Sequence, residues 1–126
     1  MLKEKEAIIK MMRKKAELLE VPYYFTEKDE RSIKSWKNQD AKRVFEEITY
    51  ELEYEAVEDA CICPFCIYNP SCIMCAYGKH HGICADCDSA YQISRKGLPG
   101  HLQRLMIEGK VKGRREYAKI LLKELS

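Results

Sequence analysis

All seven cysteines of this chain lie between positions 61 and 87. They read Cys61-Ile-Cys63-Pro-Phe-Cys66, then Cys72-Ile-Met-Cys75, then His80-His81-Gly-Ile-Cys84-Ala-Asp-Cys87. Three C-x-x-C pairs in so short a stretch constrain the fold strongly, because each pair sits in a tight turn that aims two sulfurs at one point. An odd number of cysteines leaves a pure disulfide scheme unbalanced. In a reducing compartment, clustered pairs of this kind are metal ligands rather than disulfides. The N-terminus, Met1-Leu2-Lys3-Glu4-Lys5-Glu6-Ala7, has neither the apolar core nor the cleavage site of a secretory leader, which predicts a cytoplasmic location.

The expected ligands are Cys63, Cys66, Cys72, Cys75, Cys84 and Cys87, with Cys61, His80 and His81 as further donors. That set suffices for one or two Zn2+ ions. Two pairings are open. Cys63/Cys66 and Cys72/Cys75 can converge across the turn at Asn69-Pro70, or Cys63/Cys66 can join Cys84/Cys87 and leave Cys72/Cys75 to Cys61 or a histidine. The spacing Cys66, Cys72, Cys75, Cys84 also suits a 4Fe–4S cluster, which takes four thiolates of mixed short spacing. His80 and His81 are either spare ligands or solvent-facing turn residues.

Several enzyme classes are excluded by spacing. Only Gly82-Ile83 separates the histidines from Cys84, too little for a ββα nuclease core. No His-x-Glu precedes Pro64, so the zinc-deaminase pattern fails. No βαβ frame surrounds a single pair, as a thioredoxin-like redox site requires. With no nucleophile–base set and no phosphate loop, a non-enzymatic protein is expected.

Cys63-Pro-Phe-Cys66, Cys72-Ile-Met-Cys75, Gly78 and Gly82-Ile-Cys84 resemble the core of small cysteine-cluster proteins of phages and archaeal viruses. The resemblance covers residues 61–91, and the Cys84/Cys87 pair stands outside that group's pattern. It implies metal binding and a mobile-element origin, and no particular activity.

The flanks predict an all-α frame around an inserted, irregular Cys-rich knuckle. Three segments result, within one compact domain: an N-terminal helical hairpin over 1–60, the cysteine module over 61–90 and basic C-terminal helices over 91–126. A helix over 3–20 follows from Ile8, Met11, Met12, Leu18 and Leu19, with Lys and Glu on the other face and a stop at Val21-Pro22. Thr26 starts the next helical region. Residues 27–60 form one long helix or two broken near Asn38-Gln39-Asp40, with Ile33, Trp36, Ala41, Val44, Phe45, Ile48, Leu52 and Ala56 in step. A second line, Tyr50, Tyr54, Val57 and Cys61, lies about 200° around the helix and is expected to carry the cysteine module. Downstream, a short helix over 88–97 and one with Leu102, Leu105 and Met106 inward, stopped by Gly109, precede a last helix from Arg114 to Leu125.

Charge divides the chain. Residues 1–60 carry 12 Lys/Arg against 15 Asp/Glu, whereas residues 91–126 carry 9 against 3. Arg115, Lys119 and Lys123 share a helical line, and like charges at that spacing cost a helix a few tenths of a kcal/mol per pair unless an anion relieves them. With Lys110, Lys112 and Arg114 they form a candidate nucleic-acid surface. A plain solvated basic face and a surface for an acidic protein stay open beside it. The acidic helix over 41–59 is a candidate protein-binding face. No run of about 18 apolar residues exists, so no membrane contact is expected.

Overall fold

A computed structural model of the chain describes residues 2–20, 24–54, 63–69 and 101–126. All regular structure among these residues is helical. Helices α1 (Leu2–Leu19), α2 (Glu27–Lys34), α3 (Asn38–Glu53), α4 (Pro64–Tyr68), α5 (His101–Ile107) and α6 (Arg114–Leu125) follow in order. The expected helix over 88–97 lies outside the described residues, as do Ala56, Val57 and Cys61. Among the described residues, no helix is long and apolar enough to cross a membrane.

α1, α3 and α6 pack against one another and enclose the core. α1 contributes Ile8, Ile9, Met11, Met12 and Leu19, α3 contributes Ala41, Val44, Ile48 and Leu52, and α6 contributes Tyr117, Ala118, Leu121 and Leu125. Each buried large aliphatic side chain stabilises by roughly 1.5–3 kcal/mol, so this three-sided contact is the main source of stability.

The lysines of α1 do not all face outward as the sequence pattern suggested. Lys5 and Lys15 are buried, because positions 5, 8, 12, 15 and 19 step by three and four and share one face.

Residues 27–53 form two helices rather than one. The break comes at Ser35–Lys37, one turn earlier than Asn38-Gln39-Asp40, and Asn38 already belongs to α3. The Ser35 amide donates to the Arg31 and Ser32 carbonyls and the Trp36 amide to that of Ile33, so α2 closes on itself and turns Trp36 inward. At its other end, the buried Asp29 carboxylate accepts from the Thr26 amide at 2.8 Å and the Thr26 hydroxyl at 3.1 Å. An acid at this position also suits the positive end of the helix.

Three helix C-termini are closed by cations from elsewhere in the chain. Lys5 Nζ donates to the Lys34 carbonyl of α2 at 3.0 Å. Lys110 Nζ donates to the Leu18 carbonyl of α1 at 2.8 Å. Arg43 donates to the Ile67 and Tyr68 carbonyls of α4 at 3.1 and 3.4 Å. Each satisfies carbonyls that have no partner within their own helix and neutralises the negative dipole end.

α5 rests on α1 and ends in a Schellman motif. The Lys110 amide donates to the Leu105 carbonyl at 2.9 Å and the Gly109 amide to that of Met106 at 3.1 Å, with Gly109 at φ +76°. Leu105 is fully buried and Leu102 partly so, but Met106 is 44% exposed, contrary to the inward position expected for it. One residue rotates a helix by about 100°, so a two-turn helix lying on α1 cannot bury Leu105 and Met106 equally.

Candidate metal centre

Cys63 and Cys66 are the members of the cysteine cluster among the described residues. Cys63 has extended backbone (φ −81°, ψ 115°) and caps α4, and Pro64 follows as its first residue. Proline suits that position, where its missing N–H leaves no bond unmade. The single turn then brings Cys66 back beside Cys63, and the two thiols are hydrogen-bonded to each other. Cys63 is buried and Cys66 half-buried, and neither is in a disulfide.

A five-residue helix has little stability of its own. α4 is held by its neighbours on α3. The Tyr68 ring stacks on Trp36, with centroids 4.4 Å apart and planes 6° from parallel. Phe65, itself buried, meets Trp36 edge-on at 5.8 Å. Arg43 closes the far end, and Glu47 lies 3.9 Å from its guanidinium. The cysteine turn therefore docks at the start of α3. Of the expected docking line, Tyr50 and Tyr54 are among the described residues; they stand 59% and 68% exposed, with their rings 4.6 Å apart, and the Cys63–Cys66 turn is not packed on them.

The Cys63 thiol is held well above the ordinary thiol range, first by its hydrogen bond to the Cys66 thiol and then by burial. The Lys15 ammonium and the Cys66 backbone amide pull the other way, toward thiolate. Lys15 is fully buried on α1, with Nζ 5.6 Å from the centre of the Tyr24 ring. Two thiols at the start of a helix are donors of the kind a thiolophilic ion takes. Among the described residues, no group of three or more His, Cys, Asp or Glu side chains gathers into a complete site. Cys61, Cys72, Cys75, Cys84, Cys87, His80 and His81 lie outside the described residues.

The candidate nucleic-acid residues divide. Arg114, Arg115, Lys119 and Lys123 are exposed on α6, and Lys112 is exposed just before it. Lys112, Arg114, Arg115 and Lys119 border a shallow depression that also contains Glu116, whose carboxylate accepts from the Lys112 amide at 3.3 Å. Lys110 is drawn inward, bonded to the Leu18 carbonyl and 3.3 and 3.4 Å from the Glu20 and Glu108 carboxylates. On the acidic face, Glu46, Glu47 and Glu53 are exposed and Glu51 half-buried.

Sequence reasoning missed Lys15. Its signal was available, since it stands four residues after Met11 and four before Leu19 on the core-facing line of α1. Compared with known proteins, the chain matches no family model, no curated sequence and no solved structure.

Proposed function

We propose that this chain is a non-enzymatic zinc protein in which a cysteine module is docked on a helical bundle, and that its basic C-terminal helix binds nucleic acid. The observation that carries the metal half is the Cys63/Cys66 turn: two thiols brought together on a helix start that is fixed by Trp36 and Arg43. Cys63 and Cys66 would supply two ligands, with the rest drawn from Cys72, Cys75, Cys84, Cys87, Cys61, His80 and His81. The metal itself would cross-link the module, and Trp36 and Arg43 would hold the turn that carries the first two sulfurs. The resemblance to phage and archaeal-virus cysteine-cluster proteins suits a regulator or accessory factor of a mobile element.

The nucleic-acid half rests on Arg115, Lys119 and Lys123, which line one exposed side of α6 while Tyr117, Leu121 and Leu125 face the core. Three phosphate contacts contribute a slope of about −2.7 in log affinity against log salt. Elemental analysis and an absorption spectrum of the purified protein test the first half. Colourless protein with one or two zincs is expected, and a brown protein absorbing near ~400 nm replaces zinc with iron–sulfur. Gel shifts over a salt series test the second half. Changing Arg115, Lys119 and Lys123 to Ala should flatten the salt slope by about the amount given above. Tight binding indifferent to those changes refutes it.

The exposed Tyr50–Tyr54 pair beside Glu46, Glu47 and Glu53 favours a second reading, an adaptor whose α3 face meets a protein partner. A stoichiometric protein partner recovered without nucleic acid, and lost on Tyr50→Ser with Tyr54→Ser, distinguishes it.

A further inference from the structure

Two neighbouring surfaces of the bundle match each other in chemistry. The first is a groove between α3 and α6, about 450 Å3 in volume. Phe45 and Thr49 of α3 and Leu122 and Leu125 of α6 line it, and Lys119 and Lys123 stand exposed along its α6 edge. Phe45 and Leu122 are only partly buried, so the packing of α3 on α6 leaves apolar surface in the groove open to water. The second surface is the adjoining face of α3. There Tyr50 and Tyr54 are exposed with their rings 4.6 Å apart, and Glu46 and Glu47 are exposed one turn before them.

Helical geometry makes these surfaces neighbours. Phe45 and Thr49 precede Glu46 and Tyr50 by one position each, so the groove line and the tyrosine line lie about 100° apart on one helix. A patch that carries a groove beside the groups that fill it can pair with its own copy across a two-fold axis. With the two α3 helices antiparallel, the tyrosines of one copy enter the groove of the other, and symmetry repeats the contact. Tyrosine suits such an insertion, because its ring is apolar and its hydroxyl can stay at the wet edge. The charges agree as well, with glutamates on the inserting line and lysines on the receiving edge. Among the described residues, neither Lys119, Lys123 nor Glu46 is in an ion pair. Glu47 lies 3.9 Å from Arg43, but both are about half exposed, which makes that pair weak.

We propose that the chain forms a two-fold dimer in which Tyr50 and Tyr54 of each copy fill the α3/α6 groove of the other, with Glu46 and Glu47 facing its Lys119 and Lys123. The occupant of the groove is a second copy of this chain. The proposal rests on the reading of α3 as a protein-binding face and names the partner for it. Lys119 and Lys123 are also the candidate phosphate contacts, so a nucleic acid and a second copy compete for them.

The test is sedimentation of the full chain, free of nucleic acid, over a dilution series. Native protein should show twice the mass of one chain at roughly 100 μM and fall toward one chain on dilution. Aromatic anchors of this kind dominate an interface, so Tyr50→Ser with Tyr54→Ser should weaken association at least about tenfold. The substituted side chains are exposed, and a far-UV circular dichroism spectrum like that of native protein shows that the variant is folded. Charge reversal supplies the second arm. Lys119→Glu with Lys123→Glu, and separately Glu46→Lys with Glu47→Lys, should each weaken self-association, since like charges then meet across both halves of the interface. An equal mixture of the two variants should recover the dimer, because every pair is again opposite in sign. A native chain that stays at the mass of one copy throughout, a dimer indifferent to the tyrosine changes, or a mixture that fails to recover overturns the proposal. If the native chain is single and another protein binds it through Tyr50 and Tyr54, the adaptor reading stands and the dimer falls. If the tyrosine changes alter neither self-association nor binding of any protein, both fall.

Discussion

Replacing Tyr68 by Leu should loosen the cysteine turn without weakening the bundle. The ring is half-buried and lies flat on Trp36 at 4.4 Å. Leu keeps much of the apolar contact but removes the ring-on-ring component, which is worth about 0.5–1.5 kcal/mol beyond area burial. That loss belongs to the docking of α4, because α1, α3 and α6 pack on each other without help from Tyr68. Regional opening can then change while global stability does not. The measurement is native-state hydrogen exchange. The Ile67 amide, bonded to the Cys63 carbonyl at 3.2 Å, and the Asn69 amide, bonded to that of Phe65 at 3.0 Å, report α4. Both should exchange about two- to thirteenfold faster in the variant, as the energy range implies. Amides at Ile48 and Leu121 should hardly change. The chain has one tryptophan, so Trp36 emission gives an independent signal of the same opening. An equal acceleration at all four amides would show that α4 is an integral part of the bundle, and no acceleration at Ile67 and Asn69 would show that the stack does not hold it; either result refutes the argument.

Leu121→Ala removes a fully buried side chain at the meeting of α1, α3 and α6 and should cost about 2–5 kcal/mol, lowering Tm by on the order of 10 °C. The half-buried Leu122→Ala should lose distinctly less in the same calorimetric scan. Lys110→Met deletes the bond to the Leu18 carbonyl and two ion pairs, so about 1–2 kcal/mol of stability should disappear in denaturant titrations. Lys123→Met, an exposed change, should stay within about 0.5 kcal/mol and instead weaken nucleic-acid binding in gel shifts.

The order of the main helices was legible in the chain because their signals are local. A three- and four-residue apolar period marks α1, α3 and α6; the bounds of α1 and α6 lie close to those expected, whereas α3 ends at Glu53 rather than running on toward residue 60. Thr26, with Asp29 three residues on, marks the start of α2, and Gly109 marks the end of α5. The paired cysteines likewise announced a turn that brings two sulfurs together, since Pro64 and the two-residue spacing dictate that geometry locally.

What only the tertiary structure decided depends on residues far apart in sequence. Trp36 looked like one more core position, yet it is the platform for Tyr68, thirty-two positions later. Lys110 looked like part of a basic surface, but it closes the end of α1, ninety-two positions before it. No local pattern encodes either partnership, because each arises from where packed helices happen to bring a side chain. Lys15 is the converse case: the period of α1 alone places it on the buried face, because that face is set by local helical geometry before any partner packs on it.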